Sequence, residues 1–288
     1  MSEKILVTGA SGQLGHLVVD ALLKKVPAKQ IVAGARNLEK AGDLSARGVE
    51  VRVLDYSRPE SLNAALEGID KLLLISSSEI GQRAVQHQNV ITAAQKAAVK
   101  LLAYTSVLHA DSSVLGLAEE HRQTEQALKA SGLPYVLLRN GWYTENYAVS
   151  VPGAVENGAF VGSAGTGRIA SAARQDYAEA AAAVLVSGES QAGKVYELAG
   201  DSAYTLAELA AEISRQVGKE IPYKDLPETE YQELLIQVGL PEPVAALMAD
   251  SDAGAAKGAL FDESHTLSRL IGHSTTSLAA SITSALKG

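Results

Sequence analysis

A short apolar run, Ile5-Leu6-Val7, leads straight into Thr8-Gly9-Ala10-Ser11-Gly12-Gln13-Leu14-Gly15, and Leu14, Val18, Leu22 and Val26 then recur at helical spacing as far as Pro27. A buried strand, a glycine turn and an amphipathic helix in that order leave few folds open. The glycines let the backbone turn sharply and approach a ligand closely. The unpaired N–H groups and positive end of the new helix then attract an anion. This is the arrangement that holds a dinucleotide pyrophosphate, which makes Gly9, Ala10, Ser11, Gly12, Gln13, Leu14 and Gly15 candidate cofactor-binding residues. The spacing is Gly-x-x-Gly-x-x-Gly rather than Gly-x-Gly-x-x-Gly.

Beyond the turn, strand-like and helix-like stretches alternate. Apolar runs at Lys4–Val7, Ile31–Ala35, Glu50–Leu54, Lys71–Ile75, Leu101–Thr105 and Tyr135–Arg139 are separated by helical patterns such as Gln86–Ala98 and Glu119–Ser131. Continuous apolar strands covered on both faces imply α/β class: a Rossmann-type, doubly wound parallel sheet. Ser57-Arg58-Pro59-Glu60 reads as a capping box, and Ala130-Ser131-Gly132 as a helix end with Pro134 just beyond. After Glu145 the pattern changes. Gly153–Gly167 reads as loop and hairpin, Asp176–Ser187 as an alanine-rich helix returning to the sheet, and Val195–Ala199 as a last strand. The expected organisation is residues 1–145 with 176–200 as the nucleotide-binding domain. Residues 146–175 with 201–288 then form a smaller, mostly helical C-terminal lobe that binds substrate.

The chain has 288 residues, a net charge of −8 and no cysteine. The cysteine count excludes disulfides, thiol catalysis and thiolate metal sites. The acidic balance, without a run of Lys/Arg, argues against nucleic-acid binding. The six histidines are scattered, so no metal is expected. No apolar run approaches the ~18 residues of a membrane span, and no signal peptide precedes the first strand, so a soluble cytoplasmic protein is expected.

The second strand ends at Ala35-Arg36-Asn37. An acidic residue there would bind the ribose hydroxyls of NAD, whereas Arg36 suits the 2′-phosphate of NADP, with Lys40 adding charge one helical turn on. Other strand ends should line the same crevice. Asp55 is either an adenine contact or a helix-entry acid. Ser76, Ser77 and Ser78 leave room for ribose and pyrophosphate, or form a simple turn. Thr105-Ser106 end the fifth strand. Asn140-Gly141-Trp142-Tyr143-Thr144-Glu145-Asn146 follow the sixth, and there Trp142 and Tyr143 either present flat faces to a ligand or simply pack.

An absence narrows the chemistry. Ordinary short-chain reductases protonate the substrate oxygen with Tyr-x-x-x-Lys, and none of the ten tyrosines has lysine four residues on. Hydride transfer to a quinone needs less help, because the ring is already electrophilic and solvent delivers the proton. Cofactor chemistry plus orientation suffices. His109, just past the fifth strand, and His121, whose spacing four residues before Glu125 also reads as an exposed ion pair, are fallback acids.

The chain resembles the NmrA-like, atypical short-chain dehydrogenases, and among them the bacterial NAD(P)H:quinone oxidoreductases of type 2. The resemblance rests on Val7–Gly15, Leu72–Ser78, Leu137–Asn146, Gly193–Gly200 and Lys257-Gly258, and runs nearly end to end. It implies NADPH held by Gly9–Gly15, Arg36, Ser76–Ser78 and Asn140–Glu145, and a small-molecule quinone near the nicotinamide. Asn140, Tyr143 and His109 are then the catalytic candidates, and Ser106, Trp142, Tyr143 and Asn146 the substrate-binding ones. Ser11 stands where many members carry threonine, which keeps the hydroxyl. Related members reduce triphenylmethane dyes or azo-type acceptors. Others are silent NADP(H)-binding redox sensors that regulate a partner protein. A monomer or homodimer is expected.

Overall fold

The computed structural model describes residues 3–287. In chain order the elements are β1 (Ile5–Val7), α1 (Gln13–Leu23), β2 (Ile31–Ala35), α2 (Gly42–Ala46), β3 (Glu50–Val53), α3 (Pro59–Ala65), β4 (Lys71–Leu74), α4 (Arg83–Lys96), β5 (Leu101–Val107), α5 (Ala118–Ser131) and β6 (Tyr135–Asn140). There follow α6 (Glu145–Ala148), α7 (Val151–Asn157), β7 (Phe160–Gly162), α8 (Arg174–Ser187), β8 (Val195–Leu198), α9 (Leu206–Val217), β9 (Tyr223–Asp225), α10 (Glu228–Gln237), α11 (Glu242–Ala256), α12 (Thr266–Ile271) and α13 (Leu278–Lys287).

Seven of these strands form one sheet in the order β3-β2-β1-β4-β5-β6-β8. The pairs from β3 across to β6 are all parallel. The order reverses at β1, where β2 lies on one side and β4 on the other, and this is where open α/β sheets bind ligands. The fully buried strands β1, β2, β4 and β5 are apolar throughout except Lys71 and the polar residues near the end of β5. One face carries a core of Leu6, Val32, Leu72, Leu74, Leu102 and Leu137 against Leu62, Leu66, Val90, Ile91 and Leu128 of the segments around α3, α4 and α5. The alanine-rich α8 packs along α1 and touches β4 and β5, so its small side chains permit close helix–helix and helix–sheet approach. The doubly wound parallel sheet expected from the alternating runs is the observed architecture.

Two local expectations are corrected. Ser57 does not cap α3. The N-cap is Arg58, without a side-chain cap bond, and Pro59 opens the helix. The Ser57 N–H instead donates to Asp55 Oδ1 at 2.9 Å, an Asx turn that pulls Ser57 out of the capping position. The segment Gly153–Gly167 is not a hairpin. Pro152 near the first turn and Gly158 at φ +75° just past the end delimit α7, and β7 pairs in parallel with the distant β9.

The chain divides into two compact units. One holds Met1–Ala110, Glu119–Asn140 and Arg174–Tyr196, and the other Asp111–Ala118, Gly141–Ala173 and Glu197–Gly288. Gly141–Glu145 and residues 111–118 thus belong with the largely helical second unit, and chain order alone gives no sign of the latter. Within that unit Asp252 on α11 is fully buried. It accepts from the Tyr147 hydroxyl at 2.8 Å and from the Ser163 N–H at 2.9 Å, which ties α11 to α6 and to the end of β7.

Candidate functional site

The first βα turn is built around glycine. Gly9 adopts φ +57°, and the Gly12 N–H closes back on its carbonyl at 2.9 Å. A Cβ at Gly15 would lie 2.3 Å from the Gly9 oxygen, so only glycine lets α1 start this close to β1. Gly12 is the N-cap and offers no side-chain acceptor. The first N–H groups of α1 and its positive end therefore remain for a ligand anion.

A cavity of about 580 Å³ opens at this turn, within the range of small-molecule sites. It is lined by Gly9 and Ser11–Gly15, by Arg36, Asn37 and Lys40 after β2, by Leu54–Tyr56 after β3, by Ile75–Glu79 after β4, and by Gln86 of α4. Of the residues read from the sequence, Gly9, Ser11, Gly12, Gln13, Leu14, Gly15, Arg36, Asp55, Ser76, Ser77 and Ser78 thus come together around one space. Ala10 lies fully buried under the turn, its N–H donating to the Gly34 carbonyl at 3.0 Å.

The walls are held by buried polar groups that sequence reasoning missed. Thr8 Oγ1 donates to the Leu73 carbonyl at 2.9 Å and accepts the Ile75 N–H at 2.9 Å, which fastens the end of β1 to the end of β4. The Tyr56 hydroxyl reaches the same Thr8 Oγ1 at 2.5 Å and the Ile75 carbonyl at 2.8 Å, and burial raises its pKa. The Ser77 peptide is clamped from both sides. Its N–H donates to His87 Nε2 at 3.0 Å, and its carbonyl accepts from Arg83 Nε at 2.5 Å. Because His87 Nε2 accepts, the ring proton is assigned to Nδ1, which meets Thr124 Oγ1 at 2.9 Å. Burial, with the Arg83 charge beside it, depresses the His87 pKa to about 3.

Gln86 and Glu79 complete the rim. Gln86 is 5% exposed, and its Nε2 donates to Glu79 Oε2 at 2.7 Å and to Ser57 Oγ at 3.2 Å. The carboxylate fixes the amide orientation, which leaves the buried Gln86 Oε1 without a protein partner in the cavity wall. The other oxygen of Glu79 accepts from Arg36 Nη1 at 2.6 Å. An amide on the buried side of a predicted helix was the available signal for Gln86. Nothing in the sequence marked Glu79.

The remaining candidates lie outside this lining. Ser106 and Asn140 stand near the ends of β5 and β6 in the first unit. Ser106 is buried and its hydroxyl donates to Glu125 Oε1 at 2.6 Å, beside the buried Arg139–Glu125 ion pair. His109 sits in the turn after β5 at φ +52°. His121 is buried, with Nδ1 2.6 Å from the Tyr104 hydroxyl, and burial holds its pKa well below the ordinary histidine value. That enclosure removes it from the set of accessible acids. In the second unit, the Thr144 N–H donates to the Ala172 carbonyl at 2.9 Å, and a hydroxyl chain runs Thr144–Ser171–Tyr204 at 2.8 and 2.6 Å. Trp142 is 8% exposed, its ring centre 6.4 Å from that of Tyr147, while Tyr143 is half-buried, and Glu145 opens α6 with Asn146 behind it. Among the described residues no group of three or more His, Cys, Asp or Glu is placed to hold a metal.

The fit to a dinucleotide rests on this geometry. The turn is one that a single Cβ would fill, the helix start is uncapped, an orphan acceptor is buried in the wall, and a guanidinium stands at the rim. The NAD(P)H-binding family matches the chain over residues 9–187. The chain belongs to that family. It is 59% identical over 278 residues to quinone oxidoreductase 2 of Escherichia coli, covering 96% of this chain and 97% of that protein. The crystal structure of NADPH-dependent quinone oxidoreductase from Escherichia coli complexed with NADPH superposes with a TM-score of 0.95 at 58% identity, covering 98% of this chain and 99% of that one. Citrobacter sp. triphenylmethane reductase complexed with NADP(H) follows with a TM-score of 0.94 at 41% identity, over 98% and 100% of the two chains. No helix among the described residues is long and apolar enough to cross a membrane.

Proposed function

We propose that the protein is an NADPH-dependent quinone reductase that works without flavin. The observation that carries the reading is the cavity itself, a glycine cradle at the sheet's switch point with Arg36 on its rim, in a chain so similar to the Escherichia coli quinone oxidoreductase. The pyrophosphate belongs on the N–H groups of Gln13, Leu14 and Gly15 at the start of α1, and the 2′-phosphate on Arg36 with Lys40 nearby. Adenine belongs beside Asp55, with the Gln86 Oε1 accepting from its amine. When bound, NADPH supplies the hydride that reduces the acceptor. The Ser76–Ser78 backbone, held by His87 and Arg83, fixes the ribose end. Asn140, Gly141, Trp142, Tyr143, Thr144 and Glu145 are proposed to complete the nicotinamide end. Ser106, Trp142, Tyr143 and Asn146 are proposed to orient the acceptor, with Asn140, Tyr143 and His109 as the polar groups available to it. Solvent supplies the proton, since no tyrosine carries the lysine that would make it an acid near neutral pH. Cytoplasmic residence and a monomeric or homodimeric state belong to the same proposal.

Purified protein free of flavin is expected to oxidise NADPH only when a quinone is added, followed as loss of nicotinamide absorbance. Tight NADPH binding without turnover on a panel of quinones and dyes overturns the proposal in favour of a redox sensor. Triphenylmethane dyes are the second acceptor class to test, on the 41% identity to the Citrobacter reductase.

A further inference from the structure

Arg36 is the cation expected to receive the 2′-phosphate, yet it already has an anionic partner. Glu79, three residues past the Ser76 end of the clamped loop, bridges the rim: one carboxylate oxygen takes Arg36 Nη1 at 2.6 Å and the other takes Gln86 Nε2 at 2.7 Å. The pair is solvent-accessible, with Arg36 66% and Glu79 43% exposed, so as a contribution to stability it counts for little. The anchoring through Gln86 is another matter. That amide is itself buried and tied to Ser57, so it holds the carboxylate at one place rather than letting it drift among surface rotamers. A fixed negative charge therefore stands against the guanidinium at the point where a phosphate dianion must arrive.

We infer that Glu79 sets the cofactor selectivity of this site. It competes with the 2′-phosphate for Arg36 and repels it, so that the preference for NADP(H) over NAD(H) is smaller than Arg36 and Lys40 alone would impose. The inference rests on the reading of Arg36 given above. NAD(H) carries only a neutral 2′-hydroxyl there, which a carboxylate accepts from. Binding of the phosphorylated nucleotide breaks the Glu79–Arg36 contact and remakes the guanidinium contact with phosphate. Binding of the unphosphorylated one leaves that contact in place.

The test is calorimetric titration of the full chain with NADP⁺ and with NAD⁺, at low and high salt. Glu79→Gln keeps the side-chain size and removes the charge. It is expected to bind NADP⁺ roughly two- to tenfold more tightly, the scale of one charge contact at a partly exposed site, with NAD⁺ unchanged or slightly weaker. That difference from the wild type should shrink at ~1 M salt, where the screening length falls to ~3 Å. Equal affinities of Glu79→Gln and wild type for NADP⁺ overturn the inference. So does weaker NADP⁺ binding by Glu79→Gln, which would make the carboxylate an ordering partner of Arg36 and not its competitor. Arg36→Ala in the same titration separates the two levels. If it weakens both nucleotides equally, the reading of Arg36 fails and the inference with it. If it is selective for NADP⁺ while Glu79→Gln changes nothing, only the inference fails.

Discussion

A single side chain just past β2, Arg36, is the group proposed to receive the 2′-phosphate of NADP(H). Arg36 is mostly exposed, so its removal costs the fold little, and any effect on binding reports the phosphate contact. Arg36→Ala is expected to weaken NADPH binding by roughly 1.5–3 kcal/mol, the scale of a hydrogen bond between charged groups, and to leave NADH nearly unchanged. Equilibrium titration with each cofactor checks this. Arg36 was legible in the sequence because its position follows from the fold: a strand end about 20 residues past the glycine turn. Glu79 was not, and Gln86 only as an amide on the buried side of a helix, because their places are set by contacts from elsewhere in the chain. Ser57 and Glu79 orient the Gln86 amide, and Arg36 with Gln86 fixes the Glu79 carboxylate. Such pairings leave no periodic or motif signal.

At the scale of the element, the loop after β4 is held by α4 as well as by its own turn, in which Ser77 Oγ accepts the Glu79 N–H at 3.1 Å. His87, one residue past Gln86 on that helix, accepts the Ser77 N–H only while it is neutral. Its folded pKa of about 3 lies below the ordinary histidine value of 6.5. The unfolded chain therefore takes up a proton first, so the stability His87 provides is present above pH ~6.5 and lost as pH falls toward about 3. Gln at this position can accept the same N–H and donate to Thr124 without titrating. His87→Gln is expected to keep NADPH affinity and to flatten the acid side of the stability curve, measured by urea unfolding between pH 4 and 7. His87→Ala should instead free the Ser77 peptide and weaken NADPH binding by roughly 1 kcal/mol, the net worth of a hydrogen bond. The strands of the seven-stranded sheet were readable to within two residues, since apolar runs bounded by polar ends carry their own limits, whereas the short β7 and β9 carry no such run. The α7 segment was not, because Gly153 and Gly158 look alike in sequence while one sits inside a helix and the other ends it.

For the molecule as a whole, buried titrations of opposite sense meet in one pH range. Asp252 has its pKa raised from 3.8 to about 6, chiefly by burial, with the Ser163 and Tyr147 bonds acting the other way. The folded state prefers the protonated acid, so this contribution is fully present below pH ~3.8 and lost as pH rises through about 6. His87 and His121 act in the reverse sense over the overlapping range. One acid is thus set against two histidines, so the wild-type stability should still rise between pH 4 and 6, less steeply than the histidines alone would make it. Asp252→Asn keeps an acceptor for Ser163 and removes one side of that balance. Relative to wild type it should gain on the order of 1–3 kcal/mol between pH 4 and 7, since one pKa unit is about 1.4 kcal/mol. Urea midpoints of the two proteins across that range check the sign, and a gap that stays constant with pH would assign the Asp252 pair a fixed packing role.

The same chain leaves one compact unit for the other at Ala110, Ala118, Asn140, Ala173 and Tyr196. Neither unit is a contiguous block, so no single cut or splice transfers one of them whole. A gene exchange that brought in a foreign second unit would have to carry three separate stretches at once. On the proposed role of Trp142, Tyr143 and Asn146, new acceptors are more readily acquired by substitution at that segment than by recombination of modules.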